Sequence, residues 1–174
     1  MAQIEVIQGD ITAVDVDVIV NAANSGLAGG GGVDGAIHRA AGPCLYAECA
    51  RIAAEKKKAG GEPCPTGDVV MTGAFNIRCK GIIHAVGPIW YGSDKDGLLA
   101  SCYRKSLLLA QRAGFISIAF PNISTGVYGY PKNKAAAAAV KTVKETLPEC
   151  PGIGRIVFVC FDRENYDLYK KLLP

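Results

Sequence analysis

The chain has 174 residues, 49% hydrophobic and 20% charged, a composition typical of one globular domain spanning residues 1–174 rather than of a disordered segment. Its 19 Lys and Arg against 16 Asp and Glu residues leave a net charge of only +3, which argues against a dedicated nucleic-acid binder. No apolar run is long enough to span a membrane, and residues 1–5 lack the basic start of a signal peptide, so we expect a cytoplasmic protein.

Strand and helix patterns alternate along the whole chain. Short apolar or β-branched runs predict strands at residues 4–7, 16–20, 68–72, 82–86, 116–120 and 155–160. Apolar residues three or four apart, bounded by Gly or Pro, predict helices at residues 33–41, 44–59, 97–113, 133–147 and 164–173. The alternation predicts an α/β fold with helices on both faces of a mostly parallel sheet. Ligands bind such folds at the carboxyl ends of the strands, so functional residues are expected in the loops there.

The first of these loops, Asn21–Gly35, is rich in glycine. Four consecutive glycines, Gly29–Gly32, can turn their N–H groups toward an anion, and the helix predicted behind them adds partial positive charge. The loop therefore predicts a phosphate site, the alternative being a flexible surface loop. A literal G-x-G-x-x-G at Gly30–Gly35 is a weak sign of an NAD-dependent dehydrogenase, because Ala22–Gly29 separate it from the strand.

A second loop, Pro121–Pro131, joins the strand at 116–120 to an Ala-rich helix. Ser124, Thr125 and Gly126 offer hydroxyl and backbone donors to phosphate oxygens, and Tyr128 stands between residues suited to a turn, where it can pack on a sugar. The loop lacks the G-K-[ST] sequence of a P-loop. The loop is therefore predicted to bind phosphate oxygens in a manner different from a P-loop.

Two further residues follow the first and last predicted strands. Asp10 supplies an acidic acceptor and Phe161 an aromatic ring, a pair suited to the amine and the face of a purine. The alternatives, in which Asp10 caps a turn and Phe161 belongs to the core, remain open at this point.

The seven cysteines are odd in number and contain no C-x-x-C pair. They predict buried, reduced thiols rather than a disulfide framework or a zinc site. None is placed near the glycine-rich loop by the sequence, so a thiol nucleophile is not expected.

These segments together resemble the macrodomain family, in particular its MacroD type. One signature consists of Asn24 and, after six residues, Gly31-Gly32-Val33-Asp34; the second is Gly126-Val127-Tyr128-Gly129. The resemblance covers residues 3–173. Its flanking matches are Gly9–Thr12, Ala36–Gly42 and His84–Pro88.

The resemblance implies a three-layer α/β/α sandwich around a mixed six-stranded sheet, with ADP-ribose in a cleft. It implies hydrolysis, without metal or cofactor, of O-acetyl-ADP-ribose and of mono-ADP-ribose linked to Asp or Glu of proteins. Asn24 and Asp34 are then expected at the distal ribose, where the chemistry happens. The other implied binding residues are Asp10 and Ile11 at the adenine with Phe161 stacked on it, and Ala23, Gly31, Gly32, Val33, Ser124, Thr125, Gly126, Val127 and Tyr128 around the diphosphate and distal ribose.

Ester hydrolysis needs a placed water and a proton acceptor. We expect Asn24 to hold a ribose hydroxyl. Asp34 lies in the first turn of its predicted helix, where the dipole should lower its pKa, so we expect it to orient ribose and water while a substrate phosphate oxygen assists with the proton. His38, four residues later, shares its helix face and, with Asn21, is a candidate for support; the alternative for His38 is a structural role. His84 is interpreted as a core residue.

Two other functions are weighed against hydrolysis. A module that binds ADP-ribose without turnover is less favoured, because both Asn24 and Asp34 are present. A nucleic-acid binder is disfavoured by the low net charge, with ADP-ribosylated nucleic-acid ends as the exception.

Overall fold

A six-stranded sheet organises the computed structural model, which describes residues 1–174. Its strands are β1 (Gln3–Gln8), β2 (Val18–Ala22), β3 (Val69–Thr72), β4 (Gly81–Ala85), β5 (Ser117–Phe120) and β6 (Arg155–Cys160). The helices are α1 (Gly32–Ala41), α2 (Pro43–Lys58), α3 (Leu98–Arg112), α4 (Lys132–Thr146) and α5 (Arg163–Leu172). Short 3₁₀ turns span Ile11–Ala13 and Leu147–Glu149. Every predicted strand and helix is present, with ends shifted by no more than about two residues, the ordinary uncertainty of such boundaries.

The strands run in the order β1-β6-β5-β2-β4-β3. All neighbouring pairs are parallel except β3 and β4, which pair antiparallel at one edge. The predicted α/β/α sandwich with a mixed, mostly parallel sheet is therefore confirmed. Five strands consequently end at the same edge of the sheet, and the loops that leave them form one surface.

The central strands are buried on both faces, as their continuous apolar sequences predict. On β2, Val18 and Val20 face the layer formed by α3, α4 and α5, while Ile19 faces α1 and α2. The first of these layers contains a cluster of aromatic rings in contact, Tyr103, Phe120, Phe158 and Tyr169. Together the two layers fix the sheet edge that carries the functional loops.

The direction of the chain connections changes where β2 and β5 lie side by side. The chain leaves β2 toward α1 on one face and leaves β5 toward α4 on the opposite face. The loops after neighbouring strands diverge at such a point, and ligands bind open α/β sheets there. These are the two loops in which the sequence predicts phosphate contacts.

All seven cysteines are free thiols, as predicted. Five are buried, but Cys44 is exposed and Cys79 is half-buried, so the prediction of burial is wrong for Cys44. None of the helices combines the length and the apolar character needed to cross a membrane. A cytoplasmic location stays a prediction.

Two phenylalanines near the end of β6 provide a test of the packing. Phe158 has no exposed surface and its ring centroid lies 4.8 Å from that of Tyr169, whereas Phe161 is 89% exposed. We expect Phe158→Ala to lower the free energy of unfolding by about 3–5 kcal/mol. Phe161→Ala should change it by no more than about 0.5 kcal/mol. Urea denaturation measures both, and equal losses would contradict this assignment of the core.

Candidate active site

The glycine-rich loop after β2 is held by the side chain of Asn24. Its Nδ2 donates to the carbonyl of Gly29 at 2.8 Å, and its Oδ1 accepts from the N–H of Ala28 at 3.1 Å. Leu27, at the middle of this turn, is 4% exposed and so anchors the loop in the core. One side-chain amide thus closes the loop on itself, an arrangement that favours an ordered loop over the flexible alternative.

The same loop presents bare backbone at the start of α1. A Cβ added to Gly31 or Gly32 would meet no atom within 4 Å, and Gly32 has a φ of +58°. Because α1 begins at Gly32, its first N–H groups lack intrahelical acceptors. The combination of open space, free donors and a helix N-terminus suits an anion.

The loop after β5 is held by backbone hydrogen bonds. The N–H of Tyr130 donates to the carbonyl of Ser124 at 3.0 Å, and the N–H of Trp90 donates to the carbonyl of Tyr128 at 2.8 Å. Ser124 has a φ of +67°, and its buried Oγ has no hydrogen-bond partner. Val127 is fully exposed at the loop tip. The loop is therefore held in place by hydrogen bonds, and the Ser124 hydroxyl is buried against Gly87.

Asn24 and Asp34 converge on Gly30. A Cβ placed on Gly30 would lie 3.4 Å from Oδ2 of Asp34 and 3.9 Å from Nδ2 of Asn24. The other carboxylate oxygen, Oδ1, accepts from Nδ2 of Asn21 at 2.7 Å and lies 3.4 Å from Nε2 of His38. The predicted pairing of Asp34 with His38 is therefore present, and Asn21 supports the carboxylate as expected.

The predicted lowering of the pKa of Asp34 is wrong. Asp34 is only 6% exposed, and burial raises its pKa above the usual range, against smaller opposing effects of the Asn21 hydrogen bond and the His38 charge. The helix dipole argument failed because removal from water disfavours the ionised form more strongly than the partial charges at α1 favour it. A raised pKa makes this carboxylate a better proton acceptor than the sequence suggests.

His84 is buried, as predicted, but its environment is polar. It is the register partner of Asn21 across β2 and β4, and its Nδ1 lies 3.1 Å from Nδ2 of Asn21. Its Nε2 lies 2.9 Å from Oγ1 of Thr72 on β3. Burial, followed by the charge of His38, lowers the pKa of His84 to about 3. Sequence reasoning missed this link because strand pattern does not reveal which residues face each other.

Tyr46 of α2 is a second residue that the sequence did not reveal. Its ring centroid lies 4.0 Å from that of His38, and its Cε1 would lie 2.6 Å from a Cβ on Gly29. Gly29, with a φ of +77°, is thus the residue that lets the loop pass close to this ring. No sequence motif connects α2 with the loop.

Asp10 and Phe161 follow the ends of β1 and β6, which are neighbours in the sheet and pair Gln8 with Cys160. Asp10 caps the first 3₁₀ turn, where Oδ1 accepts from the N–H and the hydroxyl of Thr12 at 2.9 and 2.7 Å. The capping alternative is therefore right for Asp10, although no partner occupies Oδ2. The core alternative is wrong for Phe161, whose exposed ring offers a face for stacking.

Cys49 of α2 is the cysteine whose pKa is affected by the charge of Asp34. Burial, with a contribution from the charge of Asp34, raises the pKa of Cys49 to about 11. A protonated thiol is a poor nucleophile, which supports the prediction against thiol chemistry.

The chain is similar to known proteins over almost its whole length. Residues 20–139 match the family described as Macro domain. The O-acetyl-ADP-ribose deacetylase of Klebsiella pneumoniae is 53% identical over 173 residues, 98% of this chain and 96% of that protein. A mutant Oceanobacillus iheyensis macrodomain with ADPR is 45% identical with a TM-score of 0.92, covering 99% of this chain and 92% of that one. The Trypanosoma brucei macrodomain in complex with ADP-ribose is 39% identical with a TM-score of 0.87, covering 98% and 69%.

The raised pKa of Asp34 predicts how stability changes with pH. The folded state holds the Asp34 proton more tightly than the unfolded chain, so this contribution to stability is complete below the unfolded pKa and is lost as pH rises through the folded pKa. Asp34→Asn removes the buried charge and keeps an oxygen for Asn21. We expect the variant to be more stable than wild type at pH 7, with the difference shrinking as the pH falls toward 3.8, the usual pKa of Asp.

Urea denaturation across this pH range measures the difference. Asp15→Asn, at an exposed carboxyl, is the matched control and should show no such gain. A variant that is less stable than wild type at pH 7 and gains on acidification would contradict the raised pKa.

Proposed function

Because this chain belongs to the macro domain family, we propose that its cleft binds ADP-ribose and that the protein hydrolyses ester bonds to the distal ribose, beginning with O-acetyl-ADP-ribose. The observation that carries the proposal is the convergence of Asn24 and Asp34 on the open backbone at Gly30, where the β2 and β5 loops diverge. Relatives about half identical to this chain are deacetylases of O-acetyl-ADP-ribose by name, which supports the same assignment.

The proposed orientation of the ligand follows the sheet edge from β1 to β2. The adenine stacks on Phe161, with its amine on the free oxygen of Asp10 and its other edge near Ile11. The diphosphate lies between the start of α1 and the loop after β5. Its contacts come from Gly31, Gly32 and Val33 on one side and from Ser124, Thr125, Gly126, Val127 and Tyr128 on the other. The distal ribose then reaches Ala23, Asn24 and Asp34.

In the proposed mechanism Asp34 places and activates the water. Oδ1 is occupied by Asn21 and His38, so Oδ2, which faces Gly30, is the acceptor available to a water proton. The water attacks the acyl carbon, the bond from that carbon to the ribose oxygen breaks, and the ribose oxygen takes up a proton. ADP-ribose and the free acid result. The raised pKa of Asp34 brings the carboxyl closer to the working range of a general base.

Asn24 serves both the loop and the substrate in this proposal. One N–H of its amide is spent on the carbonyl of Gly29, and the second is free for a ribose hydroxyl. Substrate orientation is thereby linked to the shape of the loop.

We extend the proposal to mono-ADP-ribose linked to Asp or Glu of proteins, because that bond is also an acyl ester of the distal ribose. ADP-ribosylated nucleic-acid ends are the less favoured substrate, given a net charge of only +3. The alternative function is binding of ADP-ribose without turnover. The buried, supported carboxylate of Asp34 favours the enzyme, because an ionised group at such a position costs stability that binding alone does not require.

The first test compares wild type with Asp34→Ala on O-acetyl-ADP-ribose and on a protein carrying Glu-linked mono-ADP-ribose. We expect kcat to fall at least about 100-fold, the loss typical of removing a catalytic group, while the Kd for ADP-ribose changes only a few-fold. Asp15→Ala is the control for loss of a carboxyl elsewhere. Wild type that binds ADP-ribose and releases nothing from either substrate would establish the binding module instead.

The second test concerns the adenine. Phe161→Ala should weaken ADP-ribose binding by about 1–3 kcal/mol, the range for a base stacked on an aromatic ring. It should leave the affinity for ribose 5-phosphate, which has no adenine, unchanged. Isothermal titration calorimetry measures both ligands, and equal weakening of the two would place the adenine elsewhere.

A further inference from the structure

A row of hydrogen bonds runs behind Asp34, from one strand to the next. Oγ1 of Thr72 on β3 lies 2.9 Å from Nε2 of His84 on β4, and Nδ1 of His84 lies 3.1 Å from Nδ2 of Asn21 on β2. The same Nδ2 donates to Oδ1 of Asp34 at 2.7 Å. All four side chains are buried, so each proton in the row must be accounted for within it.

The hydrogen bonds on either side of His84 require the same tautomer of its ring. The hydroxyl of Thr72 spends its only proton on the carbonyl of Gly73 at 3.0 Å, so it can only accept from Nε2 of His84. At the other end, the amide nitrogen of Asn21 can only donate, so Nδ1 of His84 must offer a lone pair. His84 is therefore neutral, with its proton on Nε2.

The orientation of the Asn21 amide follows from the carboxylate. Turned the other way, its oxygen would face Oδ1 of Asp34, acceptor against acceptor. As it lies, both N–H groups are used and Oδ1 of Asn21 is buried without a partner. An unpaired buried oxygen costs stability. The observed orientation accepts this cost and in return provides both N–H groups of Asn21 with acceptors.

We propose that Thr72 and His84 are positioning residues that act through Asn21 to hold Asp34 with Oδ1 engaged and Oδ2 turned toward the cleft. Neither touches the substrate. The effect on turnover rests on the proposed function, whereas the effect on His84 and Asp34 does not. The consequence is that a single hydroxyl on the edge strand selects the tautomer that keeps the catalytic carboxylate in place.

The key variants are Thr72→Val, which keeps the shape and removes the hydroxyl, and Thr72→Ser, which keeps the hydroxyl. Long-range ¹H–¹⁵N spectra report the tautomer of His84, and ¹³C spectra report the Asp34 carboxyl, both without substrate. In wild type and Thr72→Ser we expect the Nε2–H form throughout pH 5–8. In Thr72→Val we expect the Nδ1–H form to appear and the Asp34 signal to shift.

Turnover of O-acetyl-ADP-ribose gives the functional arm. Thr72→Val should lower kcat about 10-fold, with the Kd for ADP-ribose within about 2-fold of wild type, and Thr72→Ser should restore kcat; a tenfold change corresponds to about 1.4 kcal/mol. Asn21→Ser should lower kcat further, and adding Thr72→Val to it should cause no additional loss, because coupled residues are not additive. If Thr72→Val does not fold, the Asn21→Ser variant by itself must show a lower kcat with an unchanged Kd for ADP-ribose.

Several results would overturn the proposal. One is an Nδ1–H or charged His84 in wild type at any pH from 5 to 8. Others are wild-type kcat in Thr72→Val, or additive losses in the double variant. If wild type shows no turnover at all, the proposed function fails separately. The positioning role is then judged by the Asp34 signal, and an unchanged signal in Thr72→Val would refute it.

Discussion

The candidate active site depends on one carboxylate that is kept largely out of water. Asp34 lies at the start of α1 with 6% of its surface exposed, and burial raises its pKa. A buried carboxylate needs polar partners: Asn21 donates a hydrogen bond from the sheet, and His38, one turn along the same helix, lies 3.4 Å away. Both partners are on the side of Oδ1, which leaves Oδ2 free. Asp34 thus finds its partners at the carboxyl-terminal end of β2 and on its own face of α1.

The two faces of the sheet have different roles, one in packing and one in the candidate site. The face under α3, α4 and α5 is apolar and holds the aromatic cluster, which supplies stabilisation without regard to the ligand. The face under α1 and α2 holds a polar row in the middle of an otherwise apolar layer. Neighbouring residues of β2 serve the two purposes, because Val20 points to the first face and Asn21 to the second. Because successive side chains of a strand point to opposite faces, one strand can pack into the core on one face and carry polar site residues on the other.

The sequence predicted the order of strands and helices along the chain and the loops that follow β2 and β5, because apolar periodicity and glycine runs are local signals. It also placed His38 beside Asp34, since residues four apart on a helix share a face. It did not predict the sign of the Asp34 pKa shift, because burial depends on how α1 packs against β2. The link from His84 to Asn21 depends on strand register, and the contact of Tyr46 with Gly29 depends on the packing of α2 on a loop. For Asp10 and Phe161 the sequence left alternatives open, and only the tertiary structure separates a cap from a core residue.

The pairing of β1 with β6 has a consequence for how the protein is made. Glu5 on β1 and Arg155 on β6 form an ion pair with two hydrogen bonds, of 2.9 and 3.0 Å. The two residues are 150 positions apart in the sequence. Strand β1 is synthesised well before β6, which is its only partner in the sheet. Contacts of such long range close late and slowly. Asp10 and Phe161 follow the paired ends of these strands, so the proposed adenine-binding end of the cleft forms only after β6 has joined β1 in the sheet.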